Sequence, residues 1–271
     1  MLKAIEQAVR WIRDADGLLV TAGAGMGVDS GLPDFRGSAG FWQSYPALAK
    51  AGIDFNSIAS PRAFRRNPIQ AWGFYGHRLA LYRGTEPHAG FFVLKKIAEF
   101  MPHGVFVVTS NVDGQFQKAG YQEDRILEIH GSIHNLQCNE PCFSRIWSAT
   151  DLRPSISTRT CHWLGRLPTC RYCGGIASPN ILMFDDDRWI SERQLAQRMH
   201  WEFWRQQVKK LVVIECGAGI EIPSIRRFSE KQGAPVIRIN PHHARAPMGM
   251  GISLPLGAEQ ALSLVGAALG Y

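Results

Sequence analysis

Three residue patterns in this 271-residue chain could do chemistry. The first is Gly23-Ala24-Gly25-Met26-Gly27, directly after the apolar run Gly17-Leu18-Leu19-Val20. A strand that ends in residues without bulky side chains lets backbone N–H groups close on a phosphate. The same glycines also suit a tight turn that holds no ligand. A little further on, Pro33-Asp34-Phe35-Arg36 sets a rigid φ, a carboxylate, an aromatic ring and a guanidinium side by side, a combination a plain turn does not need. The second pattern is a set of polar groups at strand ends: Thr109-Ser110-Asn111-Val112-Asp113 after Val105–Val108, and His130-Gly131 after Ile126–Ile129. Ligands of a parallel sheet bind outside the strands' carboxyl ends, so Asn111, Asp113 and His130 are placed to meet one. The plain alternatives are that Asn111 caps the following helix and that His130 is structural. An imidazole is largely uncharged at neutral pH and can accept a proton there. The third pattern is cysteine: Cys138-x3-Cys142, then Cys170-x2-Cys173 followed by Gly174-Gly175. Two short thiolate pairs can close a tetrahedral zinc site, with Cys161 available as a substitute ligand.

These residues need elements to hold them. Short apolar runs at 17–20, 105–108, 126–129, 211–214 and 235–240 read as buried strands, and 178–184 as a further one. Helical periodicity appears at 2–14, 61–83, 86–100, 189–207 and 258–269. Strands alternating with helices predict an α/β fold with a doubly wound, mostly parallel sheet. The strand ends at 20, 109, 130, 214 and 240 should then share one edge. Phe41, Trp42 and Tyr45 sit in a Gly/Ser/Pro-punctuated loop whose aromatics suit either a ligand cover or packing on a helix. The apolar positions of 61–83, Tyr75 and Tyr82 among them, read as core of a helical insert, and 144–168 shows no clear period.

The composition is that of an ordinary globular protein, 45% hydrophobic and 20% charged. The net charge of +7 is scattered, with pairs such as Arg65-Arg66 and Lys209-Lys210 but no dense basic run, which argues against a nucleic-acid partner. No apolar run reaches the ~18 residues of a membrane span. The first helix carries Lys3, Glu6, Arg10 and Arg13 and is no signal peptide, so a cytoplasmic, monomeric enzyme is expected.

The segment 21–37 resembles the signature of the sirtuins, NAD-dependent protein deacylases, in its GAG and Gly31-Leu32-Pro33-Asp34-Phe35-Arg36-Gly37 portions, with Gly27 where that family usually has Ser. Thr109–Asp113 is similar to the family's T-Q-N-I-D, with Ser110 for Gln, and His130-Gly131 to its His-Gly pair. The resemblance runs on with departures: His88 and Phe91 replace an Asn and a His, Phe184-Asp185-Asp186-Asp187 replaces F-G-E, and Gly217-Ala218-Gly219 replaces G-T-S. It implies a Rossmann-like domain at 1–45, 86–135 and 179–271. A smaller domain would be built from a helical insert at 46–85 and a zinc-binding insert at 136–178, with structural zinc on Cys138, Cys142, Cys170 and Cys173. NAD is implied to contact Ala22, Gly23, Ala24, Gly25, Met26, Pro33, Asp34, Phe35, Arg36, Ser110, Asn111, Asp113, His130, Gly217, Ala218, Gly219, Asn240 and Ala258. His130, Asn111 and Asp113 are the implied catalytic set.

The implied reaction moves an acyl group from a protein lysine to ADP-ribose and releases nicotinamide, with His130 as general base on a ribose hydroxyl. The altered segments at 184–187 and 217–219 leave an NAD glycohydrolase or mono-ADP-ribosyltransferase open. A catalytically silent NAD-binding sensor or scaffold is the alternative of another class.

Overall fold

Gly17-Leu18-Leu19-Val20-Thr21-Ala22 is buried along its whole length, as a central strand covered on both faces must be. In the computed structural model, which describes residues 1–34 and 37–271, this strand (β1, Gly17–Ala22) lies inside a parallel sheet. Its neighbours are β2 (Val105–Thr109) and β9 (Leu211–Cys216). Outside these lie β3 (Ile126–Glu128), β10 (Val236–Ile239) and β11 (Gly251–Leu254), giving the order β11-β10-β9-β1-β2-β3. All pairs are parallel, so the strand ends picked out in the sequence do share one edge. Strand β11 has no sequence expectation behind it: a four-residue run after a proline-rich loop carries too little pattern.

Period two sorts the sheet's side chains. Leu18 and Val20 face a core formed with α1 (Leu2–Asp14), α7 (Ala89–Ala98) and α11 (Ala258–Leu269). Leu19, Phe106 and Val108 face the other side, packed with Trp201 and Trp204 of α9 (Glu192–Gln207) and Ile225 of α10 (Ser224–Glu230).

A second core joins the two inserts. It holds the short helices α2 (Gly37–Ser44), α3 (Pro46–Lys50), α4 (Phe55–Ile58) and α5 (Pro61–Arg66), and the long α6 (Pro68–Gly84). Against them pack β4 (Gly131–Cys138), β5 (Trp147–Ser148) and β8 (Ala177–Ile181), an antiparallel sheet, and the ribbon of β6 (Ile156–Ser157) with β7 (His162–Trp163). Phe41 and Tyr45 are buried here in edge contacts with Phe74, so the packing reading holds for both, but the expected loop is replaced by α2 and α3, because these rings are held against α6. Trp72 donates its indole N–H to the Ala177 carbonyl at 2.8 Å.

Two expected helices end differently. The stretch 61–83 breaks at Asn67, because Pro68 bars helical backbone before it. Asn67 instead caps α6 by accepting the Gln70 N–H. The helix expected from 86 starts at Ala89, where His88 caps it by accepting the Gly90 N–H at 3.0 Å. With Nδ1 as acceptor, the His88 Nε2–H donates to the Met26 carbonyl at 2.9 Å and ties α7 to the glycine-rich turn.

Candidate active site and cysteine centre

Hydrogen bonds across neighbouring strand ends build the site. The Ala22 carbonyl accepts the Ser110 N–H at 3.0 Å, and Gly23 N–H donates to the Cys216 carbonyl at 3.0 Å. Asn111 donates its Nδ2 to the Gly23 carbonyl at 3.0 Å. Three loops, after β1, β2 and β9, are thus fixed to one another. Beyond Gly23 the chain makes two short 3-10 turns, Ala24–Met26 and Val28–Ser30. The glycines have a use besides ligand approach. A Cβ on Gly25 would lie 2.7 Å from the Gly217 Cα, and one on Gly217, at φ +61°, would lie 2.3 Å from Gly25 carbonyl carbon. The β1 and β9 loops therefore cross backbone on backbone.

A cavity of about 700 Å³ opens at this edge, within the usual size of a ligand pocket. Gly23, Ala24, Pro33 and Asp34 line it from the first loop, and Ser110, Asn111 and Asp113 from the second. His130 lines it after β3, and Ala218 and Gly219 after β9. Ala22, Met26 and Ala258 are buried in the sheet-and-helix core. Asn240 is buried too, donating to the Ala218 carbonyl at 3.0 Å and accepting the His242 and His243 N–H groups, so it shapes the 217–219 loop. Phe35 and Arg36 lie outside the described residues.

Burial sets the charges. It pushes the Asp113 carboxyl up to about 6, against the Gln115 N–H bond that draws it down, while nearby Glu128 adds to the rise. It pulls the His130 imidazole below its ordinary value, opposed by a hydrogen bond to the Ser110 main chain. His130 is thus uncharged at neutral pH.

The sequence reading missed Arg78. It lines the cavity together with Tyr75 and Tyr82. Its guanidinium lies 5.3 to 5.6 Å from the ring centres of Phe74, Tyr75 and Tyr82, and its Nε donates to Tyr82 Oη at 3.0 Å. The signal was there: a cation three residues after Tyr75 and four before Tyr82 falls on the buried stripe of its helix. In the altered segment, Phe184 lines the cavity and donates its N–H to the Ala59 carbonyl. Asp185 sits at φ +53°.

In the small domain, the Sγ atoms of Cys138, Cys142, Cys170 and Cys173 all lie within 4.8 Å of one another. Cys138 and Cys173 are 3.7 Å apart and Cys142 and Cys170 3.6 Å. A tetrahedral site with Zn–S bonds of about 2.3 Å requires sulfurs about 3.8 Å apart, so the cluster fits zinc. Cys161 is not in it: it is buried at φ +53°, its carbonyl pressed against Gly73 of α6. Among the described residues no helix is long and apolar enough to cross a membrane.

The model of the Sir2 family matches residues 23–217. A protein of Aquifex aeolicus named NAD-dependent protein deacylase is 29% identical over 224 residues, 83% of each chain. One of Pseudomonas syringae, NAD-dependent protein deacylase 2, is 32% identical over 180 residues, 66% of this chain and 67% of that one. Among solved structures, a Sir2 homologue in complex with NAD superposes with a TM-score of 0.70 at 20% identity, covering 97% of this chain and 93% of that one. A Sir2 homologue bound to ADP-ribose gives 0.71 at 20% identity, covering 97% and 96%. At that identity the two structures speak for the fold.

Proposed function

Because the chain belongs to the Sir2 family, we propose that it is an NAD-dependent protein lysine deacylase that passes the acyl group to ADP-ribose and releases nicotinamide. The observation that carries the reading is the meeting of Asn111, Asp113 and His130 on one cavity with the small-residue loops after β1 and β9. NAD, a substrate that is consumed, supplies the ribose carbon to which the acyl oxygen bonds as nicotinamide departs. Gly23, Ala24, Ala218 and Gly219 would leave backbone room for its phosphates. Asp113 would accept from the nicotinamide carboxamide and Asn111 would border the same ring. His130 takes the proton of a ribose hydroxyl, freeing that oxygen to receive the acyl carbon. With one water consumed, the products are free lysine, nicotinamide and O-acyl-ADP-ribose. Positioning within the cavity supplies much of the rate.

Zinc would be held by Cys138, Cys142, Cys170 and Cys173, all four positions filled by protein, and would stabilise the small domain without entering the chemistry. Six free cysteines suit a reducing compartment, the cytoplasm. Arg78 favours an acyl chain that ends in a carboxylate, because a buried guanidinium bonds a carboxylate well. The test is mass spectrometry of the products formed from NAD with and without acyl-lysine peptides. O-acyl-ADP-ribose made only with peptide supports the reading, and free ADP-ribose released equally without peptide would overturn it in favour of a glycohydrolase.

A further inference from the structure

Two consecutive residues of β4 reach the loop that carries Asn111 and Asp113. The Ile133 N–H donates to the Val112 carbonyl at 3.0 Å. His134 Nε2 lies 2.9 Å from the Asp113 carbonyl. A carbonyl only accepts, so that nitrogen carries the proton. We propose that His134 is a positioning residue: its side-chain bond holds the Asn111–Asp113 loop in the conformation that receives the nicotinamide end of NAD. The inference rests on the reading of Asn111 and Asp113 given above.

The bond from Ile133 is main chain, and nearly any residue would supply it. The bond from His134 needs a side chain of that reach with a donor at its tip. The ring also occupies the space beside Gly114, where a Cβ would come within 2.8 Å of both Cδ2 and Nε2. Gly114 turns there at φ +74°, a left-handed conformation that glycine adopts without strain. Asp113 is fixed at its other end as well, since its Oδ1 accepts the Gln115 N–H at 2.9 Å. One residue is therefore held at its carbonyl by β4 and at its carboxylate by the start of α8 (Gln115–Lys118). The strand that does this begins at Gly131, directly after His130, so it ties the general base to the loop opposite.

Asp113 stands between two spaces. It lines the main cavity and also a second one of about 490 Å³, which His134, Arg83 and Arg193 line as well. Burial, then the Arg83 and Arg193 charges, hold the His134 imidazole below its ordinary value, while the Asp113 carbonyl and Glu128 pull the other way. Neutral Nε2–H imidazole and imidazolium both donate at Nε2, so the role needs no proton transfer.

The test uses the whole chain. His134→Phe keeps a ring against Gly114 and removes the donor, whereas His134→Gln returns an amide N–H at similar reach. A lost hydrogen bond of ordinary net strength corresponds to about five-fold in an equilibrium constant. His134→Phe should therefore raise KM for NAD about five-fold and weaken nicotinamide exchange equally. kcat should stay within about two-fold and Tm near that of the parent, with His134→Gln recovering most of the loss. Asp113→Asn, run in parallel, probes the reading beneath. If it abolishes NAD binding while His134→Phe leaves KM unchanged, or while Gln does no better than Phe, the positioning role falls and the site reading stands. If Asp113→Asn binds NAD as the parent does, both fall together.

Discussion

Replacing Asp113 by Asn should stabilise the protein while weakening its NAD site. Asp113 is buried, and desolvation lifts its carboxyl from 3.8 to about 6, with Glu128 adding to the rise. The gap of about 2 units, at about 1.4 kcal/mol each, makes the ionised side chain a cost of about 3 kcal/mol to the folded state. The sign follows from proton binding. An acid whose folded pKa is raised holds its proton more tightly when folded, so its favourable contribution is present below about pH 4 and is lost as pH rises through about 6. Asn does not titrate and keeps the Oδ1 acceptor for the Gln115 N–H. The Asn variant should therefore be more stable by up to about 3 kcal/mol above about pH 7 and by about half that near pH 5. Urea unfolding at about pH 8 and about pH 5 reads the difference, and calorimetry reads NAD affinity. The carboxamide N–H of nicotinamide would give this poorly solvated carboxylate a donor, so binding and stability pull in opposite directions. Equal stability gains at the two pH values, or an Asn variant less stable than the parent at about pH 8, would refute the reasoning.

Three further outcomes follow from the same geometry. His130→Ala should lower deacylation by about 100- to 10,000-fold while NAD still binds and nicotinamide exchange survives. Because burial keeps the His130 pKa below 6.5, the acid limb of kcat/KM in the parent should also fall below that value, and a limb near pH 8 would exclude it as the base. Cys173→Ser should lower zinc content and thermal stability together, since structural zinc contributes on the order of 10 kcal/mol of binding; elemental analysis and a melting curve check both. Arg78→Met should narrow the preference for carboxylate-ended acyl-lysine over acetyl-lysine by about ten-fold or more, the worth of a hydrogen bond to a charged group, and an unchanged ratio of kcat/KM values would leave Arg78 a packing role alone.

Local pattern determined much of this protein. Buried strands announce themselves as short apolar runs because both faces of a parallel sheet are covered. Their carboxyl ends, and with them Asn111, Asp113 and His130, could therefore be read in one dimension. So could the cysteine pairs, because each pair is close in sequence. What stayed hidden depends on which distant segments touch. Cys161 stood as a substitute ligand behind the Cys170/Cys173 pair until the chain folded its carbonyl against Gly73 and left the other four sulfurs together. Gly25 read as room for a phosphate, but the structure also gives that room to Gly217, 192 residues away. His88 read as a departure from a motif, and Arg78 drew no reading at all within its helical stretch. Only folding joins the first to the Met26 carbonyl and buries the second among Phe74, Tyr75 and Tyr82 on the cavity wall. Periodicity reports which face of an element is covered, and tertiary packing alone decides what covers it.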